Sequence, residues 1–502
     1  MLGKKKFEPK LMYNLTIDDL VPEDNFYRVL EDLLDLRFVY QECKNLYGKT
    51  GNPSIDPVVF FKLMLFGYFE NVTSERNLIK RASDSLSVRY YLGYDIDENL
   101  PWHSTISRTR LLIKQETFEL IFNKIIKMCN QAGLIEGTHQ SIDSTLVKAN
   151  ASLDKLERKQ PELTVEEYAN KSYSENNPEE QKKNDNDENK NNELKLAEKS
   201  SGKNSKKDKN NSQKRNEEYY NKTDPDSRMA RKPRKPSAMY YSTHYSVDSK
   251  NKIITDVLTT YADIKDSRAL IDVFNRTENR LNDLGLTIQE VSADKGYCSG
   301  ENLMDLESRG ITPYIPTQKQ VNATGGFTVE KFTYDEEKDL FKCPNNKELK
   351  FQSYDKKKQS NHYVSKKEDC SGCPLKQKCC PNSIKRHLSR TVYYKEYERL
   401  SLRLKTPGGR KAYVLRKTGP EPLFAEAKMY HGLSKFMTRG IDKCQKNSLM
   451  IATVQNLKRL MSIKKRKMRL AISQKNYLIE FIIQKLKRLF YLEIYFTTES
   501  IS

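Results

Sequence analysis

The run His139-Gln140-Ser141-Ile142-Asp143-Ser144-Thr145-Leu146-Val147 alternates in polarity and is β-branched, the signature of a strand. A second run, Ile288 to Ala293, closes on Val291-Ser292-Ala293-Asp294 and repeats the theme of an aspartate among small residues at the end of a β-run. An acid at the tip of a central strand is pinned by the ladder while its carboxylate points out of the sheet end. Two such acids on adjacent strands can share hard cations such as Mg²⁺, which take oxygen ligands and bind substrate phosphates. The plainer alternative is that each aspartate caps a turn.

Around these two strands the pattern is that of a mixed α/β layer fold. Strands are expected at Tyr240 to Val247 and Ile253 to Tyr261, joined by the turn Asp248–Lys252. A helix from Asp266 to Leu284 stops at Gly285, and a helix near Glu301 to Arg309 leads to a short strand, Ile311 to Pro316. Upstream, residues 55–130 read as helices: one entered through Asp56-Pro57, one from Ser74, one capped by Ser104 that carries Arg108 and Arg110, and one from Phe118 to Met128. That helical part suits either DNA binding or a scaffold for dimerisation. Between Ser174 and Glu218 only Leu194, Leu196 and Ala197 are aliphatic, against eleven acids, eleven bases and eleven asparagines. Such a stretch cannot bury enough surface to offset its ordering entropy, so disorder is expected there.

Further helices are expected from Leu423 to Met429 and from Lys446 to Ile463. The run Tyr413-Val414-Leu415-Arg416-Lys417-Thr418-Gly419-Pro420-Glu421 puts Glu421 at a helix start behind a proline. Lys428, seven residues on, shares its face, whereas Glu426 points off it. One face would then offer a carboxylate to a metal and an ammonium to a phosphate. The resulting plan is an N-terminal helical domain (1–135), a first α/β part (136–326) interrupted at 174–218, a cysteine-bearing insertion (327–400), helices with a third acid (401–463) and a basic tail (464–502).

The 502 residues carry 88 Lys+Arg against 67 Asp+Glu, a net charge of +21, which argues for a polyanionic partner. There is no apolar stretch behind the basic start Lys4-Lys5-Lys6 and no uninterrupted apolar run long enough to span a membrane. The expectation is a cytoplasmic, nucleic-acid-binding protein. Five of the nine cysteines fall between Cys343 and Cys380. Cys343, Cys370, Cys373 and either Cys379 or Cys380 could close a tetrahedral structural Zn²⁺ site, with His362 and His387 as alternative ligands; the other reading is buried free thiols. From Leu457 to Leu492 eleven basic residues accompany one acid, with aromatic and aliphatic residues interleaved. This suits a clamp on the DNA backbone, or an amphipathic helix on an anionic membrane.

The motifs together resemble those of bacterial insertion-sequence transposases of the DDE type. Glu421-x6-Lys428 matches the end of a Tyr-x2-Arg-x3-Glu-x6-Lys signature, with Tyr413 and either Arg416 or Lys417 before it. Asp294-Lys295-Gly296-Tyr297 resembles the run around the second acid, and Ile142-Asp143-Ser144-Thr145 the strand of the first. Thr223-Asp224-Pro225-Asp226-Ser227-Arg228-Met229, Phe436-Met437-Thr438-Arg439-Gly440 and Asn456-Leu457 are family-like as well. The resemblance implies an RNase-H-like mixed sheet flanked by helices and catalytic, metal-holding acids Asp143, Asp294 and Glu421. It implies two Mg²⁺ (or Mn²⁺) ions per site, DNA-phosphate contacts from Arg416, Lys417 and Lys428, and strand cleavage and transfer on double-stranded DNA at element ends by a homo-oligomer. The rivals are a catalytically inactive derivative and a zinc-stabilised nucleic-acid-binding protein whose acids are structural. Truncation after Leu460 is expected to flatten the slope of log affinity against log salt for any duplex, because each neutralised phosphate adds about 0.9 to it. An unchanged slope with lost binding to anionic vesicles would assign the tail to membranes instead.

Overall fold

The structure, a computed structural model, describes residues 14–46, 54–159, 215–231, 236–317 and 326–466. In chain order the strands are β1 (His139–Lys148), β2 (Leu156–Arg158), β3 (Tyr219–Asn221), β4 (Arg228–Ala230), β5 (Ala238–Asp248), β6 (Ile254–Tyr261), β7 (Glu290–Ala293) and β8 (Thr312–Tyr314). A second series comes after them: β9 (Thr333–Asp335), β10 (Leu340–Lys342), β11 (Glu348–Asp355), β12 (Ser360–Ser365) and β13 (His387–Thr391). The architecture is a mixed α+β fold.

β1 is central because it pairs on both edges. On one side it is antiparallel to β5, from Gln140↔Asp248 to Lys148↔Tyr240. On the other it is parallel to β7, from His139↔Glu290 to Ile142↔Ala293. β8 extends the sheet parallel to β7, and β6 and β4 lie end to end along the far edge of β5. The main sheet therefore runs β6-β5-β1-β7-β8. β1 continues well past Asp143, so the expectation of an acid at a strand tip is corrected. Asp143 lies within the strand, where the parallel ladder with β7 has just ended.

Helices cover this sheet. Asp266–Asn282 packs on β5 and β6 through Ala269, Leu270, Val273 and Phe274. Pro407–Thr418 packs on β1 and β7, and Pro420–Tyr430 on β1 and β5. A long helix over 441–466 seals the β6 edge with side-chain amides. Asn456 Oδ1 accepts from Ile254 N–H at 2.9 Å and its Nδ2 donates to Ile254 C=O at 2.8 Å. Gln445 does the same, accepting from Thr259 N–H and donating to Val257 C=O. The Asp224-Pro225-Asp226 run holds the start of that helix: Asp224 Oδ1 accepts from Tyr241 Oη and Gly440 N–H, and Asp226 Oδ2 from Ile441 N–H. Carboxylates there satisfy unpaired N–H groups and oppose the helix dipole.

The N-terminal helices share one apolar core with the sheet, continuous from Tyr27 to Met461. Asp56 caps Pro57–Phe69 by accepting from Val58 and Val59 N–H, as its position before a proline predicts. The helix expected to be capped by Ser104 is instead His103–Leu112, with Trp102 as the capping residue and Ser104 inside the first turn. Buried Asp256 of β6 pairs with Arg276 and Arg280, and both arginines reach Glu119 of the helix Gln115–Gln131. Residues 174–214 of the segment expected to be disordered lie outside the described residues. Its last four, 215–218, form a helical turn, because the buried Asn216 amide pairs with both backbone groups of Met229. The cysteine-bearing stretch is a five-stranded antiparallel sheet, β9 to β13 in sequence order, with a small core of its own.

Asn456→Ala should strand a buried N–H and C=O of β6 and cost on the order of 3 kcal/mol. Urea denaturation is expected to show a lower midpoint at unchanged slope. An unshifted midpoint would mean that the edge does not depend on this amide.

Candidate active site

The register of β1 with β7 decides where the first two acids stand. Ile142 pairs with Ala293 in the last rung of the parallel ladder, so Asp143 and Asp294 come next, side by side at its end. Each carboxylate is fixed from its own strand: Ser144 N–H donates to Asp143 Oδ1 at 2.8 Å, and Lys295 N–H to Asp294 Oδ1 at 2.7 Å. Glu421 enters from the first turn of Pro420–Tyr430, behind Pro420. The junction of that helix with Pro407–Thr418 is tight at Gly419, where a Cβ would come within 2.9 Å of Leu415 O.

Arg416 ties the acids together. Its Nη1 lies 4.0 Å from Asp294 Oδ1 and 3.7 Å from Glu421 Oε1, so those two oxygens can be no farther apart than the sum of these distances. Asp143 is close enough to feel all three. Burial pushes its carboxyl up to about 6; the Ser144 N–H and the Arg416 guanidinium oppose the rise, while the Asp294 and Glu421 carboxylates add to it. Asp294 and Glu421 are about half exposed, whereas the Arg416 side chain is only 12% exposed. The result is one recessed acid and two open ones around a recessed guanidinium.

Of the two candidates for the basic position, Arg416 meets the acids. Lys417 is exposed and lies over the Tyr413 ring. Tyr413 itself is half exposed and carries Arg416 and Lys417 against its face. Lys428 donates to Thr145 Oγ1 on β1, two residues beyond Asp143. Glu426 is off the site as expected. Burial would raise its pKa, but His431, Lys458 and Arg459 outweigh this and hold it well below the usual carboxylate range.

A fourth carboxylate, Asp266, escaped the sequence reading. It begins the helix Asp266–Asn282 and accepts from Ser144 Oγ at 2.9 Å. Burial raises its pKa, and Asp294 adds to the rise. Since Ser144 projects to the opposite side of β1 from Asp143, Asp266 approaches from the other face of the strand. Gly296 leaves room for it, since a Cβ there would stand 2.9 Å from Asp266 Oδ2. Beneath the acids, Tyr297 Oη bonds His244 Nδ1 at 2.8 Å, and His244 Nε2 bonds Thr260 Oγ1, a buried link from β6 and β5 to the turn after β7.

Among the described residues, no three His, Cys, Asp or Glu side chains converge closely enough to chelate a metal ion as they stand. The donor chemistry of Asp143, Asp294 and Glu421 nonetheless fits a hard divalent cation, being all carboxylate oxygen with a single cationic side chain between them. Cys343, Cys370, Cys373, Cys379 and Cys380 line one small cavity in the β9–β13 sheet domain, whereas His362 and His387 stand outside it. Of the basic tail, 467–502 lies outside the described residues. No helix among those described is long and apolar enough to cross a membrane.

Residues 15–111 match the family model described as Transposase domain (DUF772), and residues 342–461 match the one described as Transposase DDE domain. The second match contains Arg416, Glu421 and Lys428. No curated protein matches the chain. Among solved structures the chain is similar to the piggyBac transposase synaptic complex with hairpin DNA, at 9% identity and a TM-score of 0.29, over 84% of this chain and 70% of that one. It is also similar to the pre-cleavage Mos1 transpososome, at 8% identity and a TM-score of 0.16, over 57% and 71%. Likeness this low assigns neither a residue nor a step to this chain.

An acid whose pKa is higher in the folded state favours folding while protonated and opposes it once ionised. For Asp143 that contribution is complete below about pH 4 and is lost as pH rises through about 6. In chelator, Asp143→Asn should therefore stabilise the chain at pH 8 by up to about 3 kcal/mol, with no gain near pH 4. Denaturation midpoints at the two pH values measure this, and a gain independent of pH would remove burial as its cause.

Proposed function

The chain belongs with the insertion-sequence DDE transposases, and we propose that it cleaves and transfers DNA strands at the ends of such an element through Asp143, Asp294 and Glu421. The observation that carries this reading is the gathering of three carboxylates, 151 and 127 residues apart in sequence, around one guanidinium. The strand order β6-β5-β1-β7-β8 supports the ribonuclease-H-like reading of the sheet. The spacing Glu421-x6-Lys428 supports the Tyr-Arg-Glu-Lys branch.

The three carboxylates would hold divalent ions, Mg²⁺ in the cell. When bound, such ions activate an attacking hydroxyl and stabilise the leaving oxygen of an in-line displacement at a phosphodiester. The remaining work falls to this chain's own groups. Asp294 and Glu421 are open to solvent and face the side from which a duplex can approach. Asp143 stands behind them, where burial raises its carboxyl and a nearby positive charge favours its ionised form. Arg416 offsets the negative charge of the acids, and the same guanidinium is suited to a backbone phosphate. Lys417, exposed one residue on, extends the cationic surface outward. Lys428, held by Thr145, braces the Glu421 helix against β1 at the level of the acids.

Incubation of the protein with its flanking element ends and Mg²⁺, and then nick mapping, tests the reading. Glu421→Gln should lower cleavage by at least a thousandfold, in line with loss of a group that acts on transition-state charge. It should leave duplex binding within a few-fold, because binding rests on the basic surface. Cleavage by the variant at near parental rate would place the chemistry elsewhere. Absence of nicking by the parent chain would favour an inactive derivative.

A further inference from the structure

We propose that the small sheet domain β9–β13 holds a structural zinc ion bound by the thiolates of Cys343, Cys370, Cys373 and Cys380. The five cysteines come from three separate places, the loop after β10, the helix Lys367–Ser371 with its exit, and the end of the helix Lys376–Cys379. All five line one cavity of about 20 Å³, room for one small occupant. The proposal is independent of the strand-cleavage reading.

Three features of the cavity point to a metal in place of inert packing. First, the sulfurs already receive hydrogen-bond donors. Lys347 N–H points at Cys343 Sγ at 3.3 Å, Asn345 Nδ2 at Cys373 Sγ at 3.6 Å, and Ser365 Oγ lies 3.1 Å from Cys370 Sγ. A neutral thiol is a weak acceptor, whereas a metal-bound thiolate is oriented and stabilised by such outer contacts. The Cys343 donor sits in a tight turn closed by Asn346 N–H to Cys343 O and Cys343 N–H to Lys347 O, with Asn346 at φ 55°. Second, Lys347, Lys376 and Arg386 line the same cavity, with Asp369 as the opposing acid. They supply the positive charge that a tetrathiolate zinc centre, net −2, needs around it. Third, the domain has little else to hold it. Its core is eight buried residues, three of them cysteines, and it is separate from the main core. Sheets this small usually need a staple such as a metal.

Cys380 is chosen over its neighbour because its thiol comes within hydrogen-bonding reach of the Cys370 thiol. As they stand the sulfurs line the wall of the cavity, so binding requires them to turn inward to Zn–S distances of about 2.3 Å, with release of their protons.

The test is elemental analysis of the purified full-length chain, then chelator stripping and reloading with Co²⁺. One zinc per chain is expected, and the cobalt form should show sulfur-to-cobalt charge transfer with tetrahedral d–d bands. Cys343→Ser and Cys380→Ser should lose the metal, while Cys379→Ser keeps one per chain. Absence of zinc together with absence of the charge-transfer band would overturn the site. So would cobalt bound with octahedral bands alone, which would put it on carboxylates. Loss of metal from Cys379→Ser but not from Cys380→Ser would overturn the choice of fourth ligand. The cobalt spectrum of the parent chain decides the matter even if a serine variant does not fold.

Discussion

Four rungs of parallel ladder between β1 and β7 fix where the candidate acids stand. They set Asp143 level with Asp294, and a slip of one residue would send one of the two carboxylates to the opposite face of the sheet. Register is enforced on the other edge of β1 by the long antiparallel pairing with β5, whose residues are buried almost throughout. Beneath it, the Tyr297–His244–Thr260 contacts fasten β6, β5 and the turn after β7 together. The site is thus precise because it is built on strands, with helices brought to it.

What the strands position, the helices complete. Glu421 arrives on a helix whose first turn comes after a constricted glycine, and Arg416 arrives on the preceding helix. A kink at one residue therefore sets both the third acid and the cation that opposes it. Burial of Arg416 makes this electrostatic rather than decorative: with little water around the guanidinium, its attraction for the acids is screened less than at a free surface. Asp143 illustrates the converse, an acid raised by its surroundings next to acids left open.

Much of this is legible in the amino-acid order alone. β1, β5, β6 and β7 declare themselves through alternation and β-branching, and the proline ahead of Glu421 declares its helix. What cannot be read there has physical reasons. β9 and β10 are three residues each, too short for any periodicity, and β11 is exposed along nearly its whole length, so it shows no alternation of buried and exposed positions. Asp266 looks like any acid in a first helical turn, because only tertiary packing brings it to Ser144. The choice between Arg416 and Lys417 turns on a helical phase that neighbouring residues in sequence cannot reveal. Asn216 ends the expected disorder early through two hydrogen bonds to Met229, contacts that composition does not encode.

The amides that seal β6 have a consequence for the timing of biosynthesis. Thr259 leaves the ribosome 186 residues before Gln445, and Ile254 leaves 202 residues before Asn456. At roughly 5–20 residues per second, the nascent strand waits about 10–40 s for the groups that will occupy its open edge. Over the same interval Glu421 is absent or unplaced, since its helix leans on the same late segment through Gln455 and Leu423. A nascent chain therefore carries the open β6 edge until its last helix can cover it, and a product truncated before Gln445 keeps that edge exposed.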